Sequence, residues 1–240
     1  MKLFKINFLI LFFISSFLTI ANAGTGPASV YKIQIYKIEV CDNTSTATEC
    51  ENAVAIYDST AGSGDIDIAA TTAGATAASL GNLNKAAIGT EYTYMQVTMD
   101  RAFTVSGYAT DDNSNTCYTD SGEAGSATSA AKGSNSAETA TTLYAAFESS
   151  ALDDELSGMA SLTDTSPTDN TIADGDTHFQ WRIKLTSSLI IRGGRIPTAK
   201  IAFGTSNAVG AIDNMTAACN ASGDAKGLYA AAPDVIITFK

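Results

Sequence analysis

The sequence predicts an all-β fold: a mainly antiparallel β-sandwich with one short helix in an acidic, loop-rich excursion. Three observations carry this prediction. Apolar and polar residues alternate over short runs, most cleanly in "THFQWRIKL" and in the terminal "DVIITF". The runs are separated by Gly, Asn, Asp and Pro. They are also short and closely spaced, as in a layered antiparallel body.

Ahead of the fold stands a signal of another kind. Lys2 and Lys5 form a basic start, residues 8–20 are apolar apart from Ser15, Ser16 and Thr19, and Ala21, Asn22 and Ala23 follow. Small residues at the −3 and −1 positions suit signal peptidase. The apolar run is shorter than the roughly 20 residues of a membrane-spanning helix. Residues 1–23 are therefore expected to be a cleaved secretory signal, leaving residues 24–240 as one β-sandwich domain with no further membrane span.

The first mature run, "VYKIQIYKIEVC", places Tyr31, Ile33 and Ile35 on one face and then Tyr36, Ile38 and Val40 in the opposite phase. A slip of one residue predicts a bulge, or a strand that crosses from one sheet to another. "AVAIYD" and "DIDIAA" are short strands, and "TTAGATAASLGNLNKAAIGT" reads as a linker of small residues. "EYTYMQVTM" and "AFTVSGYA" are expected to form a strand pair joined near Asp100 and Arg101.

The excursion spans about residues 110–176. Between Asp111 and Asp176 lie 13 of the 25 acidic residues, opposed by Lys132 alone. Within it, Leu143, Phe147, Leu152, Leu156 and Met159 recur mainly at three- to five-residue steps, which predicts one amphipathic helix, while "TTLYAAF" reads equally well as a strand. Strands then return as "THFQWRIKL", "SSLIIR", "PTAKIAFG", "NAVGAI" and "DVIITF". In the first of these, Phe179, Trp181, Ile183 and Leu185 are expected to face inward, with His178, Gln180, Arg182 and Lys184 in water.

The whole chain carries a net charge of −11; the signal holds two lysines and no acid, so its removal leaves −13. That balance argues against nucleic acid and anionic lipid as partners, which require a basic patch. An even number of cysteines in an exported chain implies disulfides. Of three possible pairings, Cys41–Cys50 and Cys117–Cys219 are the expected ones. A zinc site is disfavoured because no Cys-x-x-Cys spacing occurs.

Catalytic types are scarce. A Ser-His-Asp triad would need His178, the sole histidine, which the alternation puts among solvent-facing residues. No catalytic residue is assigned, and the protein is expected not to be an enzyme. Calcium is the one cofactor considered: Asp111, Asn113 and Asn115 fall at alternate positions, with Asp120 and Glu123 beyond, supplying hard oxygen ligands on a loop. Thr116 and Gly122 stand where an EF-hand would need its glycine and its final glutamate. Tyr92 and Tyr94 share one face of their strand and form a candidate platform for a sugar ring.

The last run places Val235, Ile237 and Phe239 on one face, and a strand at a sheet edge carries unpaired main-chain groups that can template another chain. Residues 24–29 supply a short extension before the first strand. The penultimate aromatic Phe239, with Gly227 fourteenth from the end, resembles the subunits of chaperone–usher fimbriae. The likeness covers those two positions; Pro233 interrupts the stretch, and the first strand departs from a fimbrial start. These readings lead to an exported, non-enzymatic structural subunit, located in the periplasm, at the cell surface or outside, that joins copies of itself by β-strand addition. A carbohydrate-binding or other ligand-binding β-sandwich module is the alternative, with a surface glycan as its partner.

Overall fold

A computed structural model describes residues 24–70, 81–110, 114–127, 129–135, 138–145, 159–163, 166–169, 176–193, 197, 199–211 and 227–239. The described chain is almost entirely β. Its strands in order are β1 (Thr25–Gly26), β2 (Ala28–Ile33), β3 (Ile35–Asp42), β4 (Val54–Asp58), β5 (Ile66–Asp67) and β6 (Glu91–Asp100). Next come β7 (Ala102–Thr110), β8 (Thr116–Thr119), β9 (Gly133–Ser134), β10 (Thr141–Tyr144), β11 (Met159–Thr163) and β12 (Ser166–Asp169). The last are β13 (His178–Ile190), β14 (Ala199–Gly204), β15 (Val209–Ala211), β16 (Leu228–Ala230) and β17 (Asp234–Phe239).

Two six-stranded antiparallel sheets make the layers. One has the order β5-β2-β7-β8-β9 with β10 also on β7, the other β12-β11-β13-β6-β3-β4. A three-stranded sheet, β1-β15-β16, packs on β7, and β14 pairs with β17 as a separate ribbon. Strands from the first and last thirds of the chain share ladders, β6 with β13 and β1 with β15.

The core follows from alternation. Across β3, β6 and β13 the register aligns Ile35–Met99–Phe179, Ile38–Val97–Trp181 and Val40–Met95–Ile183 in three apolar rows. Tyr31, Phe103 and Leu143 face them from the other sheet, and Phe103 bridges the layers, its ring 5.4 Å from Tyr31 and 6.0 Å from Phe179. Each such side chain, fully buried, contributes about 1.5–3 kcal/mol.

The phase slip in the first run is a crossing. β2 belongs to one layer and β3 to the other, with Gln34 between them. The expected hairpin near Asp100 and Arg101 is a second crossing: β6 and β7 lie in different layers and do not pair. One residue, Arg101, separates β6 from β7, too short a connection for a hairpin loop, so the chain bends without reversing. The crossings touch, since Asp100 N–H donates to Gln34 O at 3.1 Å. Arg101 is buried there; its guanidinium donates to Asp176 O (2.9 Å) and Ala127 O (3.2 Å).

Three further expectations change. "SSLIIR" is not a separate strand; it continues β13, interrupted by an irregularity between Lys184 and Leu189. The stretch expected to be helical begins as β10 and ends in β11, and residues 146–158 lie outside the described residues. Among the described residues the helical element is a single 3₁₀ turn, Leu83–Lys85, capped by the Asn82 side chain. Gln180 and Arg182, expected in water, are 5% and 8% exposed. They lie in polar rows on the outer face of their sheet, Lys37–Thr98–Gln180 and Glu39–Gln96–Arg182.

Candidate functional site

The β14–β17 ribbon forms no ladder with either layer among the described residues. Ala231, Ala232 and Pro233 lead into β17, and Thr205, Ser206 and Asn207 end β14. Both ends are tied to β2. Tyr31 Oη donates to Ala231 O at 2.8 Å, Ala28 N–H donates to Thr205 O at 2.9 Å, and Thr205 Oγ1 donates to Ala28 O at 3.2 Å. Burial pushes the Tyr31 hydroxyl far above the usual phenol range, so it stays protonated and keeps donating. Between these ties the inward side chains Ile201, Phe203, Val235 and Ile237 roof an apolar cavity of about 50 Å³, whose walls come from both layers.

The direction of the ribbon's main-chain groups follows from one bond. β17 runs beside β13 without a ladder, and Thr186 Oγ1 of β13 donates to Ile237 O at 3.4 Å. In an antiparallel strand the N–H and C=O of one residue point to the same side, and successive residues alternate. Ile237 therefore turns its groups toward β13, and Val235 and Phe239 do the same. The register pairs Ile201 with Ile237, Ala199 with Phe239 and Phe203 with Val235. Ala199, Ile201 and Phe203 must then turn their groups away from β17, on a side where no described strand pairs. The expected addition edge at Val235, Ile237 and Phe239 is thus flanked by β13, and the open edge lies one strand over, on β14.

Nor are residues 24–29 a free arm. β1 is paired with β15, and Gly26 lies so close to β7 that a Cβ would stand 2.1 Å from Tyr108 O.

Cys41 and Cys50 form the expected disulfide, 5.2 Å between Cα atoms. It staples a loop that folds back over the outer polar rows, where Arg182 Nη1 donates to Ala47 O at 3.5 Å. Burial pushes the Arg182 guanidinium below its usual range, against the pull of Glu49 and Glu39. Asp42 caps the loop: its carboxylate accepts from Thr44 N–H (2.9 Å), Thr44 Oγ1 (2.6 Å) and Asn52 Nδ2 (2.6 Å), which hold it below the usual carboxylate range. Cys117 is oxidised too, and its expected partner Cys219 lies outside the described residues.

The tyrosine platform does not form. Tyr92 is 1% exposed, and its hydroxyl accepts the Ala87 N–H at 2.8 Å; Tyr94 alone is partly open. The proposed calcium ligands are scattered. Asn115 and Asp120 flank opposite ends of β8, five residue steps or about 16 Å apart, too far for one ion. Glu123 pairs with Lys132 at 3.2 Å, Asp120 Oδ1 accepts the Gly122 N–H at 2.9 Å, and Asp111 and Asn113 lie outside the described residues. Among the described residues, no group of three or more His, Cys, Asp and Glu could hold a metal, and no helix is long and apolar enough to cross a membrane.

His178 has neighbours that its place in the alternation did not reveal. Its Nε2 lies 3.5 Å from Asp100 Oδ1, its Nδ1 is 2.8 Å from Thr177 Oγ1, and the Tyr36 ring meets it edge-on at 4.3 Å. Burial raises Asp100 above the usual carboxylate range, while His178 and the Tyr36 hydroxyl pull it down. The cluster knits β3, β6 and β13 together beside the layer crossings. The register offered the signal, since His178 stands directly opposite Asp100.

No protein-family model, curated protein or solved structure matches the chain.

Proposed function

We propose that the chain is an exported, non-enzymatic structural subunit that joins its partner by β-strand addition at β14. The observation that carries this reading is the edge formed by Ala199, Ile201 and Phe203, which no described strand pairs. An open edge offers main-chain donors and acceptors to an incoming strand. Here it borders an incompletely filled apolar space, so an added strand gains both hydrogen bonds and apolar contact. The targeting pattern of residues 1–23 and the oxidised cysteines support export. A sugar-binding role is the weaker reading, because Tyr92 is buried and the cavity is apolar.

Sedimentation of residues 24–240 over a wide concentration range tests it. The expected result is a mass that rises with concentration, more readily in salt, which screens the net charge of the mature chain. Ala199→Pro removes an outward N–H at the first residue of the strand, where proline is tolerated, and should leave a monomer with an unchanged fold. A parent protein that stays monomeric throughout refutes the reading.

A further inference from the structure

We propose that the strand added at β14 is the β14 of a second copy, antiparallel and centred on Ile201. This rests on the strand-addition reading and names its partner. The sequence of the edge is self-complementary about that residue. With Ile201 opposite its symmetry mate, Ala199 falls opposite the partner's Phe203, and Phe203 opposite the partner's Ala199. These are the three residues whose main-chain groups point outward, so the pairing closes a regular ladder.

Side chains agree with that register. Ala199, Ile201 and Phe203 lie on the inward face and are partly buried apolar residues packed against the core. The small Ala199 leaves room for the partner's large Phe203, and two isoleucines meet on the axis. On the outward face Lys200 falls opposite the partner's Ala202, so no like charges stand directly opposed. Residues 177–212 contain five basic and no acidic residues, so the edge escapes the acidic repulsion of the rest of the chain. The product is a four-stranded ribbon, β17-β14-β14-β17, in which the same edge is used on both copies. Such an interface is closed, and it gives a dimer and not a fibre.

The test combines mass with spin-label distances, using nitroxides on Lys200→Cys and Thr238→Cys, both outward-facing and exposed. Strand spacing and rise place the two Lys200 positions about 8 Å apart, and the two Thr238 positions about 16 Å apart, between Cα atoms. Expected are a mass that levels off at two subunits, strong dipolar broadening at 200 and weaker broadening at 238, all abolished by Ala199→Pro. Association without broadening at 200 overturns the symmetric pairing while leaving strand addition by another segment. Growth beyond two subunits likewise overturns it. Association untouched by Ala199→Pro, in a variant whose near-ultraviolet circular dichroism matches the parent, overturns both readings together, as does a parent that stays monomeric.

Discussion

Gly107→Ala probes how tightly Pro27 and Ala28 are clamped against β7. Gly107 lies in β7, opposite Ala28 of β2. A Cβ there would stand 2.3 Å from Pro27 O, 2.8 Å from Val209 Cγ2 and 2.9 Å from Ala28 Cα. Two of the three neighbours are backbone, so relief requires strands to move by about 1 Å, not a rotamer change. Overpacking of this kind costs about 1–3 kcal/mol, offset by about 0.4–1 kcal/mol from the stiffer unfolded chain. A net loss of about 1.3 kcal/mol corresponds to about 3–5 °C in Tm for a domain of this size. Thermal melts followed by circular dichroism measure it. The control is Gly122→Ala, whose new Cβ would make an ordinary contact at 3.5 Å with Asp120 Oδ1. If Gly107→Ala melts together with the parent and the control, the close approach of β2 and β15 to β7 is wrong.

Two further outcomes follow from the disulfide loop. Replacing Cys41 and Cys50 by alanine opens a loop whose ends are nine positions apart; the chain-entropy relation gives about 2.7 kcal/mol, near 1 M in urea midpoint. A midpoint that does not move would show that the staple adds nothing to the fold. The Asp42 carboxylate, held low by its three hydrogen bonds, contributes stability that is complete above about pH 4 and lost as pH falls through its lower folded value. Asp42→Asn should therefore flatten the acid limb of the stability curve, and an unchanged limb would contradict the cap.

The β character of the chain was legible because alternation is a local signal. The crossing at Gln34 was legible for the same reason, as it shifts the phase by one residue. The crossing at Arg101 was not legible, because Asp100 is a common turn residue and nothing local distinguishes a bend between layers from a hairpin. Leu143 supported a helical spacing, yet it lies in β10 opposite Phe103, a contact 40 positions away that no local period encodes. The burial of Tyr92 depends on the Ala87 N–H, and that of Arg182 on Ala47, both supplied by loops. The sequence reading pointed to an edge on β17, because sequence shows that β17 is a strand and not which of its sides β13 occupies; the side that no described strand pairs is that of β14. In the candidate calcium loop, β8 intervenes between Asn115 and Asp120, a separation that spacing in sequence did not show.

The paired crossings at Gln34 and Arg101 have a mechanical consequence. Two covalent spans pass between the layers at one place, joined by the bond from Asp100 to Gln34. A force that tries to slide the layers past each other there is carried along peptide bonds, and side-chain packing is spared. Among the described residues the β14–β17 ribbon has no ladder to either layer; it is held by hydrogen bonds involving Ala28, Tyr31, Thr186 and Thr205 and by its inward apolar side chains. Under tension applied through the ribbon, it yields first, while the body behind it stays whole.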